Sequence, residues 1–203
     1  MNKPTFIYGT LNPAKFQFMQ GCLAPLNLEI IGLKDMSVTL PDVDEIGNSP
    51  LENARIKALA YYEVLKRPVF ACDSGLYIED LPDSEQPGVH IRRVNNKRLS
   101  DEEMTNHYAA VAAKLGGKAV AQYRNGICLV ISESEIYEYC GEDLFGKAFF
   151  ISEKPHTKRV EGFPIDCLSV HMESGEYFYN RPDEVTTTME EGFQAFFRRV
   201  LKV

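Results

Sequence analysis

Carboxylates, lysines and side-chain amides recur in three short stretches of this chain, and together they could act on phosphate groups. The stretches run from Thr10 to Lys15, from Glu52 to Lys57, and from Asp73 to Gly75. Two carboxylates from different elements suit a magnesium ion that neutralises phosphate oxygens, and nearby lysines would add positive charge. Alone, Asp73-Ser74-Gly75 is weak evidence, because these residue types also make an ordinary turn. The chemistry therefore depends on whether the fold brings the three stretches together.

Asp73 is predicted to stand at the carboxyl end of a buried strand. The run from Val69 to Cys72 is apolar, and the apolar pattern resumes at Leu76 after a predicted tight turn. In open α/β sheets, ligands bind at the carboxyl ends of the strands. This placement would expose the carboxylate of Asp73 at a ligand-binding edge.

The first stretch is predicted to be the amino end of a helix that follows a strand over residues 5–9. Asn12 is a suitable N-cap, and Pro13 suits the first helical position. Free N–H groups and the helix dipole favour a phosphate there, and Thr10, Asn12 and Lys15 would add donors. A well-capped helix with a surface lysine is the simpler interpretation of this stretch alone.

The second stretch lies in a helix that is predicted to run to about Leu65. Ser49-Pro50-Leu51-Glu52 matches a capping box, so Glu52 could serve only to complete that box. Asn53 and Lys57 are four residues apart and would share one side of the helix. The acidic loop before it, residues 41–48, is expected to be solvated.

The remaining elements predict one α/β unit with a β-rich insertion. Leu28–Ile31 predicts a second strand, and a strand–helix–strand order builds a parallel sheet. A helix is predicted from Ser100 to Gly116. Residues 119–152 predict antiparallel hairpins, with one turn at Asn125-Gly126, and strands are predicted over 166–172 and 177–179. Residues 189–201 predict a final helix.

Composition limits the function classes. At 203 residues, the chain is expected to form a single domain over residues 1–203. The net charge of −7 argues against a nucleic-acid-binding surface. The five scattered cysteines predict buried thiols in a reducing compartment. With no membrane-spanning run and no signal peptide, the expected location is cytoplasmic, away from membranes.

Five motifs extend this pattern in a fixed order along nearly the whole chain. They are T-L-N-P-A-K at 10–15, E-I-G-N-S-P-L-E-N-A-R-I-K-A at 45–58, A-C-D-S-G-L at 71–76, P-G-V-H-I-R-R at 87–93 and E-G-F-P-I-D at 161–166. The ordered set resembles the inosine/xanthosine triphosphate pyrophosphatases, enzymes that remove deaminated purine nucleotides. The resemblance implies an α/β fold with an elongated mixed β-sheet flanked by helices, two lobes with the active site in the cleft between them, and a homodimer.

The resemblance also implies a reaction and its residues. A nucleoside triphosphate would be hydrolysed with Mg²⁺ between its α- and β-phosphates, giving a nucleoside monophosphate and pyrophosphate. Asp73 matches the general base and a magnesium ligand, and Glu52 matches the other metal-binding carboxylate. The matching phosphate-binding, turn and base-binding positions are Thr10, Asn12, Lys15, Asn53, Lys57, Ser74, Gly75, Arg93, Phe163 and Asp166.

Several positions depart from the family pattern. Cys72 stands where the family has a first aspartate, which removes one negative charge beside Asp73. The family's aromatic-Gly-aromatic-Asp segment is Phe163-Pro164-Ile165-Asp166 here, with a stiffer backbone and no second aromatic. Met189-Glu190-Glu191 aligns with a Ser-His-Arg run that donates hydrogen bonds to the purine, and Val185 with a base-proximal lysine. Selection for a 6-oxopurine is therefore expected to be weakened or lost, and the same holds if these glutamates are solvated and simply cap the helix.

Two functional hypotheses follow. The first is a magnesium-dependent nucleoside triphosphate pyrophosphatase with an altered base preference. The second is a nucleotide-binding sensor or partner protein on the same fold with little or no catalysis. The presence of Asp73, Glu52, Lys15 and Lys57 together favours the enzyme, because binding alone does not require both carboxylates and both lysines.

Overall fold

The computed structural model describes residues 3–94, 97–181 and 188–202. The helices are α1 (Pro13–Leu23), α2 (Pro50–Leu65), α3 (Asp101–Lys114) and α4 (Thr188–Leu201). The strands are β1 (Thr5–Tyr8), β2 (Glu29–Gly32), β3 (Val69–Ile78), β4 (Arg93–Val94), β5 (Lys97–Arg98), β6 (Lys118–Ser132), β7 (Glu135–Tyr139), β8 (Phe149–Ser152) and β9 (Ser169–His171).

The main sheet is mixed. Its strand order is β2-β1-β3-β6-β8-β9, and β7 pairs with β6 outside that path. β1 is parallel to β2 and β3, whereas the pairings of β6 with β7 and β8, and of β8 with β9, are antiparallel. This confirms the expected α/β fold with a large mixed sheet flanked by helices.

The described chain divides into two compact units, each with its own apolar core. Among the described residues, the first unit comprises 3–74, 124–145 and 188–202, and the second comprises 75–94, 97–123 and 146–181. In the first, aromatic residues of α4, among them Phe196 and Phe197, pack with Phe6 and Phe70. In the second, Tyr108 of α3 packs with apolar residues of β8 and of the segment before β9. The expectation of a single domain over residues 1–203 stays a prediction.

Local cap signals in the sequence account for the helix boundaries. Asn12 caps α1, Ser49 caps α2, and Ser100 caps α3 in a reciprocal capping box with Glu103. Each cap oxygen accepts backbone N–H groups that have no partner within the helix. All three amino ends therefore lie where the sequence predicts them.

Two predicted turns are wrong, because both segments are interior parts of long strands. β3 continues through Asp73-Ser74-Gly75, and β6 continues through Asn125-Gly126. The glycines permit close approach here: a Cβ at Gly126 would lie 2.5 Å from the backbone nitrogen of Leu51 at the start of α2. Glycine inside a strand often marks such an approach.

Other predictions need smaller corrections. The strand predicted over 166–172 is only the three-residue β9, and the strand predicted over 177–179 is a single bridge between Val170 and Tyr177. Four cysteines are buried as expected, but Cys140 is exposed. No helix in the described ranges is long and apolar enough to cross a membrane.

Candidate active site

Asp73 lies in the middle of β3 and beyond the end of its parallel neighbour. β1 is in register with β3 only through the pairs Ile7–Val69 and Tyr8–Phe70, and it ends at Tyr8. Asp73 therefore stands past the carboxyl end of β1, which is the position where parallel sheets bind ligands. The prediction that Asp73 ends its own strand and is exposed by a turn is wrong, because β3 continues to Ile78 and Asp73 is only 5% exposed.

The carboxylate of Asp73 is held on both oxygens by side chains of α2. Lys57 Nζ lies 2.9 Å from Oδ1, and Asn53 Nδ2 donates to Oδ2 at 3.1 Å. All three residues are buried. The spacing of four places Asn53 and Lys57 on the same side of the helix, as predicted. This pairing connects the second and third stretches.

Lys15 brings the first stretch to the same carboxylate. Its Nζ lies 4.0 Å from Asp73 Oδ1, and its side chain is 42% exposed. Lys57 is almost enclosed, whereas Lys15 remains accessible to a ligand. The structure thus brings together the two lysines and the acid that the sequence selected.

Glu45 is a further charged residue at the site that sequence reasoning missed. Its Oε1 lies 3.4 Å from Lys57 Nζ, so Lys57 stands between two carboxylates. The acidic loop was expected to be solvated, and the Glu45 side chain is 46% exposed, but its carboxylate also pairs with Lys57. The sequence feature that could have identified Glu45 as a site residue is its position at the start of the motif over residues 45–58.

Glu52 uses one carboxylate oxygen to hold the turn that precedes α2. Ser49 Oγ accepts the N–H of Glu52, but Glu52 Oε2 accepts the N–H of Asn48 at 2.8 Å. In a full capping box, the acid accepts the N–H of the cap residue itself. Beside it, Asn53 Oδ1 accepts the N–H of Gly47 at 2.8 Å. Glu52 is exposed, so this role does not bury its carboxylate.

The amino end of α1 is a tightly capped turn. Asn12 Oδ1 accepts the N–H groups of Ala14 and Lys15, at 2.9 and 3.3 Å, and Thr10 Oγ1 accepts the N–H of Asn12 at 3.2 Å. The interpretation of Asn12 as a helix cap is therefore correct. The hydroxyl hydrogen of Thr10 remains available to a ligand, because the oxygen acts as the acceptor in this contact.

Ser74 contacts a second buried amide that the sequence did not reveal as part of the site. Its hydroxyl lies 2.6 Å from Asn125 Oδ1, and Asn125 is only 6% exposed. Asn125 had been interpreted as a turn residue, since Asn-Gly is a strong hairpin signal. Only the pairing of β3 and β6 brings the two side chains together.

Four predicted substrate-binding residues belong to the second unit: Gly75, Arg93, Phe163 and Asp166. Arg93 is exposed in β4, and Phe163 is 39% exposed. The N–H of Asp166 donates to the carbonyl of Phe163 at 3.3 Å, so these two residues share one turn. Burial raises the pKa of Asp166 to about 6.

An ion pair in the second unit holds the backbone just before Phe163. Asp101 Oδ1 accepts from Arg92 at 2.6 Å, and its Oδ2 accepts the N–H of Gly162 at 2.7 Å. Gly162 has a φ of +83°, a conformation that favours glycine. These contacts fix the direction in which the chain enters Phe163.

The donor set at this site suits a magnesium ion that binds together with a polyphosphate. In the part of the chain that the structure describes, no cluster of three or more His, Cys, Asp or Glu side chains could hold a metal ion. Magnesium at nucleotide sites uses one or two carboxylates and completes its coordination with phosphates and water. Glu52 and Asp73 are carboxylates of this type, and the contacts described above connect Asp73 with Asn53, Lys57 and Lys15.

Cys72 is not placed to act as a metal ligand. Side chains alternate across a strand, so Cys72 points to the face opposite Asp73, where it packs in the core with Phe70 and Tyr8. Burial raises the pKa of its thiol to about 12. The missing aspartate is thus replaced by a core residue.

The model of the Ham1 family matches residues 6–176. This chain belongs to that family. It is 33% identical over 131 residues to a dITP/XTP pyrophosphatase of Exiguobacterium sp., covering 64% of each chain. It is 35% identical over 136 residues to the dITP/XTP pyrophosphatase of Deinococcus radiodurans, covering 67% of this chain and 64% of that one. Each match thus spans slightly less than two thirds of the relative's length.

Solved structures of Ham1 proteins share the fold of this Ham1-family chain. A HAM1 protein from Coxiella burnetii superposes with a TM-score of 0.74 at 24% identity, covering 98% of this chain and 97% of that one. The Staphylococcus aureus Ham1 protein gives a TM-score of 0.68 at 20% identity, covering 96% of this chain and 98% of that one. Both comparisons show that the overall folds are similar.

The segment that departs from the family motifs begins α4. Met189, Glu190 and Glu191 lie in the first turn of that helix. Acidic side chains there interact favourably with the helix dipole, which agrees with the interpretation of the glutamates as helix-capping residues. Met189 Sδ lies 3.0 Å from Asn125 Nδ2, so this residue is part of the packing. Val185 lies outside the described residues.

Proposed function

We propose that this Ham1-family chain hydrolyses a nucleoside triphosphate to a nucleoside monophosphate and pyrophosphate, with Mg²⁺ as cofactor. The single observation that carries the proposal is the buried Asp73 carboxylate, held by Lys57 and Asn53 beside the accessible Lys15. The relatives named dITP/XTP pyrophosphatases support the same reaction class.

Asp73 is suited to take a proton from the attacking water. Lys57 and Asn53 each use one hydrogen-bonding direction of the carboxylate, and each oxygen retains a further lone pair. The water proton passes to Asp73, the water oxygen bonds to phosphorus, and the anhydride link between the α- and β-phosphates breaks. Pyrophosphate is the leaving group. A fixed, correctly oriented base lowers the barrier to this proton transfer.

Positive charge at the site would stabilise the negative charge that develops on the phosphates. Lys15 can contact phosphate oxygens and the hydroxyl of Thr10 can donate to them. The free N–H groups expected at the amino end of α1 are instead occupied by the side chain of Asn12. Glu52 and Asp73 would hold the magnesium ion, which supplies charge neutralisation on the phosphate oxygens when bound. Lys57 would contribute mainly by orienting Asp73, because it is enclosed between Asp73 and Glu45.

The proposed base preference differs from that of a strict inosine or xanthosine enzyme. Phe163 would stack on the base and Asp166 would bind its polar edge. Glu190 and Glu191 accept hydrogen bonds where histidine and arginine would donate. We therefore expect only a small preference for ITP over GTP and ATP in kcat/KM.

The experiment is pyrophosphate release from ITP, XTP, dUTP and the four common triphosphates, each with and without Mg²⁺. Turnover is expected for at least one nucleotide, and Asp73→Asn should abolish it. Asp83→Asn makes the same chemical change at an exposed position and should keep activity. No turnover above Asp73→Asn, despite nucleotide binding by calorimetry, would favour the binding-protein alternative. A large ITP preference would refute the altered selectivity. The homodimer stays a prediction that light scattering can check.

A further inference from the structure

In the first unit, both the oxygen and the nitrogen of the Asn125 side-chain amide make hydrogen bonds. Its Oδ1 lies 2.6 Å from Ser74 Oγ, and its Nδ2 lies 2.6 Å from the carbonyl oxygen of Leu144 and 3.0 Å from Met189 Sδ. The residue is 6% exposed and lies in the interior of β6. One buried amide thus joins a residue next to Asp73 to the first turn of α4.

The orientation of this amide follows from the chemistry of its partners. The carbonyl oxygen of Leu144 can only accept, so the NH₂ group of Asn125 must face it. The carbonyl oxygen of Asn125 then faces Ser74, and that oxygen can also only accept. The hydroxyl of Ser74 must therefore donate its single hydrogen to Asn125. A flipped amide would place two acceptors 2.6 Å apart at Leu144.

This arrangement determines how Ser74 can interact with a ligand. A serine hydroxyl has one hydrogen and two lone pairs, and its hydrogen usually rotates to suit a ligand. In this chain the hydrogen is directed to a buried acceptor, so the oxygen of Ser74 presents only lone pairs. A phosphate oxygen is also an acceptor and would gain no hydrogen bond there.

We infer that Asn125 is a positioning residue that makes Ser74 a hydrogen-bond acceptor, so that Ser74 binds an O–H donor of the bound nucleotide or its water and does not bind the phosphates. The inference rests on the proposed function, because it concerns how Ser74 contacts a nucleotide at that site. The family resemblance placed Ser74 only in the turn that lines the substrate, and the inference gives it a contact with ribose or water.

The test is a double-mutant cycle on pyrophosphate binding, measured by calorimetry with Mg²⁺ on the full chain. Asn125→Ala frees the hydroxyl to donate to a phosphate oxygen, so pyrophosphate should bind several-fold more tightly. Adding Ser74→Ala should remove that gain. Ser74→Ala alone should change the pyrophosphate Kd by less than about twofold. Charge-assisted hydrogen bonds are among the stronger ones, so a donating Ser74 would give a much larger loss.

Two variants separate this effect from a packing defect. Asn125→Asp keeps an acceptor for Ser74 but cannot donate to Leu144, so it should unfold more easily. Its added negative charge should weaken pyrophosphate binding, which is the opposite of the tightening expected for Asn125→Ala. Gln122→Ala removes another β6 amide, which donates to the carbonyl of Gly146, and should leave the Kd unchanged. Comparing ribo- with 2′-deoxyribonucleotides in Ser74→Ala shows whether the 2′-hydroxyl or water is the donor; either result supports the inference.

The inference is overturned if Ser74→Ala alone weakens pyrophosphate binding tenfold or more, or if Asn125→Asp shifts the Kd as Asn125→Ala does. Because binding is measured without turnover, its failure is distinct from that of the proposed function. If the chain and its variants bind pyrophosphate as expected but the chain hydrolyses no nucleotide, the inference stands and the proposed enzymatic function is refuted. If the native chain does not bind pyrophosphate at all, the inference is overturned, and the pyrophosphate-release assay alone decides the proposed function.

Discussion

Replacing Lys57 by methionine removes the charge that pairs with Asp73 but keeps an apolar stem of similar length. Asp73 would remain buried, with a hydrogen bond from Asn53 and with Lys15 4.0 Å away. Removing one partner of a buried ion pair costs about 3–5 kcal/mol, because an uncompensated charge stays in the interior. Since domains are stable by only about 5–15 kcal/mol, Lys57→Met should be severely destabilised.

The reverse substitution, Asp73→Asn, should cost less stability. Lys57 would keep Glu45 at 3.4 Å, and the Glu45 side chain is 46% exposed, so the remaining pair is partly solvated. The loss is expected to be about 1–2 kcal/mol, in the range for replacing a hydrogen-bonded partner. The double variant Lys57→Met/Asp73→Asn buries no unpaired carboxylate at position 73. Its loss of unfolding free energy should therefore be smaller than the sum of the losses in the two single variants.

Equilibrium urea unfolding of the three variants measures these free energies, and pyrophosphate release measures their turnover. Arg55→Met is the matched control. It lies on the same helix, and its ion pair with Glu138 is half-exposed, so its loss should stay within about 1 kcal/mol. A cost for Lys57→Met no larger than for Arg55→Met would refute the reasoning, as would strictly additive costs in the cycle.

Three further predictions concern packing, pH and capping. Gly126→Ala should lower the free energy of unfolding in urea by about 1–3 kcal/mol, because its Cβ would meet the backbone of Leu51 at 2.5 Å. Gly21→Ala is the control and should lower it by nothing, because a Cβ at Gly21 would meet open space. The raised pKa of Asp166, about 6, means that the folded state binds this proton more tightly than the unfolded state. Its contribution to stability therefore falls as pH rises from about 4 to 6, and thermal unfolding of Asp166→Asn should lack that slope; an identical slope would contradict the assignment. Asn12→Ala should cost about 1 kcal/mol in thermal unfolding, whereas Asn12→Asp, which keeps the cap, should not.

Local signals in the sequence determined the helices and their amino ends. Asn12, Ser49 and Ser100 satisfy backbone N–H groups within three residues along the chain, so no distant contact is needed to place them. The ordered motifs also selected Asp73, Lys57 and Lys15, which the structure brings together. Helical spacing predicted in addition that Asn53 would share a face with Lys57.

Only the tertiary structure decided how the two long strands pass through their turn-like residues. Asp-Ser-Gly and Asn-Gly favour turns locally, but strand pairing and side-chain partners from distant segments keep both segments extended. Glu45 reaches Lys57 across a loop, and Asn125 reaches Ser74 from another strand. Such contacts depend on sheet register and loop path, which no short window of sequence specifies. The residues of the site could be selected from the sequence, but their hydrogen-bond partners required the fold.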